Sequence, residues 1–256
     1  MSWVNKYKLL AIEAIKYENQ PCLTIDSLWN ALHSMFNTAL HRQIDTEVLE
    51  EIIDKSPSFW APFSKEEFRS AIANCNNSST PGLDKLSWSY LKTVLKHDEC
   101  LTNIINIVNA CIDLGYWPAH FKRSTTVIIP KPNKQSYDSS KSFRPIILLN
   151  MLGKLIKKVI GKRLQFQVVS NDFIHPSQLG GLKFKSTIDV GIALMHIIRS
   201  CWVKNISTST LAFDIAQFFP SLNHHLLTCI LKKAGLDNCV VNFSTNYLVG
   251  RKANYF

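Results

Sequence analysis

The chain has 256 residues, 46% of them hydrophobic, which is enough for one large packed domain or two small ones and excludes a disordered polymer. Net charge is +10, and all of it lies in one stretch. From Lys122 to Gln167 there are eleven Lys/Arg and one acid, Asp138, whereas the remaining residues balance. A basic stripe on an otherwise neutral chain is the footprint of a polyanion partner rather than of a merely soluble surface.

Met1 to Ile15 is interrupted by Asn5, Lys6, Lys8 and Glu13 and has no secretory-signal pattern. No apolar run approaches the ~20 residues of a membrane span. The expectation is a soluble, intracellular protein that does not enter membranes. Residues 1 to about 78 are expected to be helical: Trp29, Leu32, Phe36 and Leu40 recur at helical spacing. Ser64 and Glu67 form a capping box for a helix through Ala73. Asn76 to Gly82 is a loop by composition. Helices are expected over roughly 84–97 and 99–114, closed by Gly115 and Pro118.

Thr125 to Ile129 is a β-branched run closed by Pro130 and is expected to be a strand. A basic loop over 130–145 follows. From about Ile147 to Phe166 the residues Leu148, Leu152, Leu155, Ile156, Val159 and Ile160 share one helical face. Lys154, Lys157, Lys158 and Lys162 fall opposite them, with Arg163 on the apolar side. Such a helix can lie on a membrane surface, but the strand and core-forming sequence around it favour a docked helix facing phosphates. Ser186 and Asp189 start another helix, and Asn223 caps one that ends at Gly235. The seven cysteines contain no C-x-x-C pair and no Cys/His ligand spacing, so neither a zinc site nor a disulfide framework is expected.

Asp214 stands in the apolar run Leu211 to Ile215, which has the composition of a buried strand. A carboxylate there must be paired, bind a metal, or lie at the strand end as a cap or surface residue. Gln217-Phe218-Phe219-Pro220-Ser221-Leu222-Asn223 follows as an aromatic turn into a helix.

Five blocks in order now resemble one family. Thr80-Pro81-Gly82-Leu83-Asp84 with Tyr90-Leu91-Lys92 is the first, and Val127-Ile128-Ile129-Pro130-Lys131-Pro132-Asn133-Lys134 the second. Ser142-Phe143-Arg144-Pro145-Ile146-Ile147-Leu148-Leu149, then Lys154 and Arg163-Leu164, is the third. Gln178-Leu179-Gly180-Gly181 with Ser186-Thr187-Ile188-Asp189, and Phe213-Asp214-Ile215-Ala216-Gln217-Phe218-Phe219-Pro220-Ser221-Leu222, complete the set. Together they resemble reverse transcriptases of non-LTR retrotransposons. Phe218-Phe219-Pro220 stands where the family commonly has Ala-Phe-Asp, and Gly181 replaces an aromatic. No Asp-Asp pair occurs anywhere in the chain.

The resemblance implies an α+β fold: a helical N-terminal extension (1–78), a fingers-like region (79–205) and the start of a palm (206–256), incomplete because the paired-aspartate motif is missing. It implies RNA-directed DNA synthesis with an RNA template, a DNA primer and dNTPs, in the nucleus. Asp214 would be the first catalytic carboxylate and, with the Ile215 carbonyl, a ligand to Mg²⁺ or to Mn²⁺ in its place. Lys131, Arg144, Ile215 and Phe219 would bind the incoming nucleotide, Phe219 as the aromatic that excludes a ribose 2′-OH. Lys154, Lys157, Lys158, Lys162 and Gln178 would contact nucleic acid. The competing reading is a non-catalytic nucleic-acid-binding remnant of a decayed element.

Overall fold

A computed structural model describes residues 15–36, 46–215 and 218–255. Residues 1–14, Leu40, Ala216 and Gln217 lie outside them, and with them the signal-peptide reading and part of the last motif. The chain forms two compact units, Met1–Val159 with Gln217–Phe256, and Ile160–Ala216.

In the first unit, β1 (Lys16–Tyr17) and β2 (Gln20–Pro21) form an antiparallel hairpin. Its two turn residues, Glu18 and Asn19, have φ of 51° and 63°, the doubly left-handed geometry that suits the right-handed twist of a tight hairpin. The expectation of an all-helical 1–78 is therefore corrected: a hairpin precedes α1 (Ile25–Phe36), and 52–63 contain no helix. The helical spacing of Trp29, Leu32 and Phe36 is confined to α1.

The next helix, α2 (Lys65–Ala73), starts at the expected capping box: the Glu67 amide donates to Ser64 Oγ at 3.3 Å and the Ser64 amide to Glu67 Oε2 at 2.9 Å. Next come α3 (Trp88–Val94) and α4 (Asp98–Asp113). The first of these is shorter than the expected 84–97, because Gly82 to Lys85 form a turn and Ser87 is the cap. α4 buries Leu101, Ile105, Val108 and Ile112, a single stripe at four- and three-residue steps. It stops at Gly115, whose φ of +61° lets the Tyr116 amide reach back to the Cys111 carbonyl at 2.8 Å.

β3 (Arg123–Pro130) is the centre of a three-stranded sheet in the order β4-β3-β5. β4 (Phe143–Leu148) runs antiparallel to it, with Ile129 opposite Arg144 and Ile128 opposite Pro145. β5 (Lys252–Tyr255) runs parallel to it, with Ser124 opposite Ala253. α5 (Met151–Ser170) follows β4 directly. The expected helix from 147 to 166 is thus corrected: Ile147 and Leu148 belong to the strand. Short apolar runs carry no periodicity that separates strand from buried helix, and Pro145 fits here because β4 is an edge strand. Met151, Leu155, Ile156, Val159 and Ile160 form the buried stripe of α5.

α6 (Thr187–Val203) begins at the Ser186/Asp189 capping box and lies in the second unit. Residues 206–215 after it form no strand and are exposed, including Leu211, Phe213 and Ile215. The expected buried strand around Asp214 is therefore corrected. Strand character requires ladder partners, and none faces this segment among the described residues. The chain continues with α7 (Phe218–Ser221), α8 (His224–Lys233), capped by Asn223, and α9 (Asn238–Leu248). α9 packs on α4 and α8, with Phe243 edge-on to Trp117 at 5.5 Å. Helix and sheet are mixed as an α+β fold requires. No helix among the described residues is long and apolar enough to cross a membrane.

Candidate nucleotide and nucleic-acid site

The hairpin of β3 and β4 brings Lys131 and Arg144 together. Lys131 follows the last residue of β3, and its amide donates to the Ser142 carbonyl at 2.8 Å. Its ammonium donates to the Lys141 carbonyl at 2.6 Å. Arg144 is exposed on the facing strand, and Lys134 lies in the connecting loop. Burial pushes the Lys131 amine below its usual range, and the charges of Lys134 and Arg144 push it further the same way. Cations held this close repel one another, and a bound polyanion would relieve that repulsion.

Lys154 and Lys158 are differently employed. Lys154 Nζ donates to the Thr80 carbonyl at 2.7 Å; Lys158 Nζ donates to the Asn74 carbonyl at 2.8 Å and reaches Cys75 Sγ at 3.3 Å. Both amines therefore fasten the 74–80 loop to α5. Lys157 is exposed and Lys162 half-buried. Gln178 is exposed in the turn after α5, its amide bonded to the His175 carbonyl at 2.9 Å.

Asp214 and Ile215 belong to the second unit and are exposed on the unpaired segment. Phe219 belongs to the first unit and is 84% exposed, so it is not a core aromatic. Its ring meets that of Phe218 edge-on at 5.4 Å. Two-metal phosphoryl transfer needs carboxylates converging from more than one strand. Among the described residues no group of three His, Cys, Asp or Glu could hold a metal ion, and Asp214 is a single carboxylate. Among the described residues the donors fall short of such a centre, and no metal-borne step is derived from them.

Two further residues are structural keystones of this region. Asp84 accepts from the Met151 amide at 3.0 Å, capping α5 from a distance, and from the Leu86 amide at 3.4 Å. At Gly82 an added Cβ would lie 2.5 Å from the Leu149 carbonyl carbon and oxygen. The 80–84 block thus docks on the junction of β4 and α5. The sequence displayed these residues as a motif, but only the fold shows what they touch.

Residues 129–254 match the family described as reverse transcriptase (RNA-dependent DNA polymerase). The chain is 24% identical over 190 residues to a retrovirus-related Pol polyprotein from the type-1 retrotransposable element R2 of Popillia japonica, covering 74% of this chain and 25% of that protein. It is 27% identical over 202 residues to a probable RNA-directed DNA polymerase from transposon BS of Drosophila melanogaster, covering 78% and 22%. It is 31% identical over 119 residues to the RNA-directed DNA polymerase from mobile element jockey of the same fly, covering 45% and 13%. The chain spans a quarter or less of the length of these relatives.

Proposed function

We propose that this protein, whose residues 129–254 match the reverse-transcriptase family and resemble non-LTR retrotransposon polymerases, serves RNA-templated DNA synthesis, adding dNTPs to a primer 3′-OH. The observation that carries the reading is that Lys131, just past β3, and Arg144, opposite Ile129 on β4, lie near each other at the loop end of the hairpin. Arg144 offers a planar fork suited to two phosphate oxygens and Lys131 a point charge. Together they would hold the triphosphate of the incoming nucleotide. Phe219, a projecting aromatic, would lie against its sugar, and the Ile215 carbonyl would face it.

In this reading 1–78 is an N-terminal extension, 79–205 the fingers and 206–256 the beginning of the palm. Asp214, with the Ile215 carbonyl, would take Mg²⁺, or Mn²⁺ in its place, together with carboxylates that the described residues do not supply. Lys157, Lys162 and Gln178 would touch the template–primer backbone, with Lys154 and Lys158 lending charge from their seats on the loop. A nuclear location accords with the lifestyle of such elements.

The test is primer extension on an RNA template with Mg²⁺ and dNTPs. The 256-residue chain alone is expected to show none, since one carboxylate cannot hold two metals. Clear extension by the chain alone would sink that expectation. A second reading, a nucleic-acid-binding remnant without catalysis, is favoured by the lack, among the described residues, of a metal-holding group that includes Asp214. It gains if a protein that extends this frame through an aspartate pair binds RNA and still extends no primer.

A further inference from the structure

We propose that residues 15–36 are a brace that holds the basic loop 131–142 in its anion-binding shape, and that Tyr137 is the positioning residue that conveys this to Lys131. The inference rests on the reading of Lys131 and Arg144 as triphosphate ligands. The family match begins only at residue 129, and none of the five resembling blocks falls on 15–36.

Ile15, Cys22, Leu28, Ala31 and Leu32 form an apolar cluster whose remaining buried member is Phe143, the first residue of β4. Tyr17, Ile128 and Tyr137 pack against it. The brace thus shares one core with both ends of the β3–β4 connection. Polar ties add register. The Lys16 amide donates to the Asp138 carbonyl at 2.7 Å, and Ser140 Oγ lies 3.1 Å from Met35 Sδ. The exposed Lys16–Asp138 ion pair at 3.3 Å adds little.

From that core a single side chain leads to the cation. The Tyr137 ring packs on the cluster and meets Phe143 at 5.9 Å, while its hydroxyl donates to the Lys131 carbonyl at 2.8 Å. Ser142 Oγ donates to the Ser136 carbonyl at 2.7 Å and closes the loop on itself. Lys131, Lys134 and Lys141 put three positive charges, against the single acid Asp138, on a loop whose regular structure is a turn at Pro132–Asn133 and a 3₁₀ turn, Ser140–Ser142. Mutual repulsion would spread such a loop when no anion is bound. Holding it beforehand removes an ordering step from binding, which is how preorganisation raises affinity.

The test uses the 256-residue chain and two variants, Leu32→Ala and Tyr137→Phe. Each is read by the rate of trypsin cleavage after Lys134 and Lys141, by affinity for inorganic tripolyphosphate, and by thermal melting. Leu32→Ala, which hollows the brace, is expected to speed cleavage in the loop and weaken tripolyphosphate. Tyr137→Phe, which removes only the hydroxyl, is expected to melt within about 4 °C of the wild type and to bind up to about fivefold more weakly, the worth of one hydrogen bond. Unchanged loop cleavage in Leu32→Ala overturns the brace. If Leu32→Ala melts globally, Tyr137→Phe decides: wild-type cleavage and affinity together overturn the proposal. Should the wild type bind tripolyphosphate no better than a Lys131→Ala/Arg144→Ala variant, the triphosphate reading fails, and the cleavage rates alone judge the brace.

Discussion

At Gly82 and Asp84 the physical demand is unusually specific. Gly82→Ala would press a methyl group into the Leu149 carbonyl, and overpacking against backbone costs about 1–3 kcal/mol. Asp84→Ala removes the acceptor for the Met151 amide, a capping loss of about 1 kcal/mol. Urea unfolding should show both as lower midpoints; unchanged midpoints would mean that the 80–84 block is not docked. Asp214→Asn, in a protein competent for primer extension, should abolish incorporation and spare RNA binding. Phe219→Ala should retain dNTP incorporation and accept rNTPs more readily, as single-turnover incorporation would report. Asp214, Lys131 and Arg144 were all legible as chemistry-bearing residue types. The sequence could not tell that Lys154 and Lys158 seat their amines on backbone carbonyls, because that depends on where the 74–80 loop lands.

Among the elements, those with a local signal were readable. The Ser64/Glu67 and Ser186/Asp189 boxes and the Asn223 cap each start a helix where their side chains can satisfy the first amides. The end of β4 and the 211–215 segment do not follow the sequence expectation, because short apolar runs carry no periodicity that separates strand from helix and strand character depends on a partner being present. The Asp189 cap also predicts an acid limb. Hydrogen bonds from Ser186, backbone first and hydroxyl second, hold the Asp189 carboxyl below its usual 3.8. Its contribution is therefore fully present above that value and is lost as pH falls through the lower folded one. Far-ultraviolet circular dichroism across acidic pH should show less loss of helix in this range for Asp189→Asn, whose cap no longer titrates. An identical acid limb would assign the change to other carboxylates, such as Asp98, which Lys65 holds low.

For the whole molecule, the +10 segment is where a polyanion partner is expected, yet composition could not divide its labour. Some of its cations crown the β3–β4 hairpin and others knit α5 to a loop. Lys157 is the cleaner probe of nucleic-acid contact because it is exposed. Lys157→Gln should lower the log–log salt slope of single-stranded RNA binding by about 0.7, the share of one neutralised phosphate. Lys154→Gln and Lys158→Gln should instead lower the melting temperature. An unchanged slope in Lys157→Gln would remove this face of α5 from the nucleic-acid surface.

The parallel pairing of β3 with β5 has a consequence for how the chain comes to be folded at all. Ser124 bonds the Lys252 carbonyl across 128 residues of sequence, and Ser58 bonds the Gly235 carbonyl across 177. Contacts so distant form late, since loop closure must precede them. On a ribosome adding about 5–20 residues per second, one edge of β3 would stay open for roughly ten seconds after its antiparallel partner could form. During that interval a bare strand edge can pair with another chain. The nascent polypeptide therefore passes through a window in which sticking competes with folding, and that window closes only when Lys252 to Tyr255 emerge.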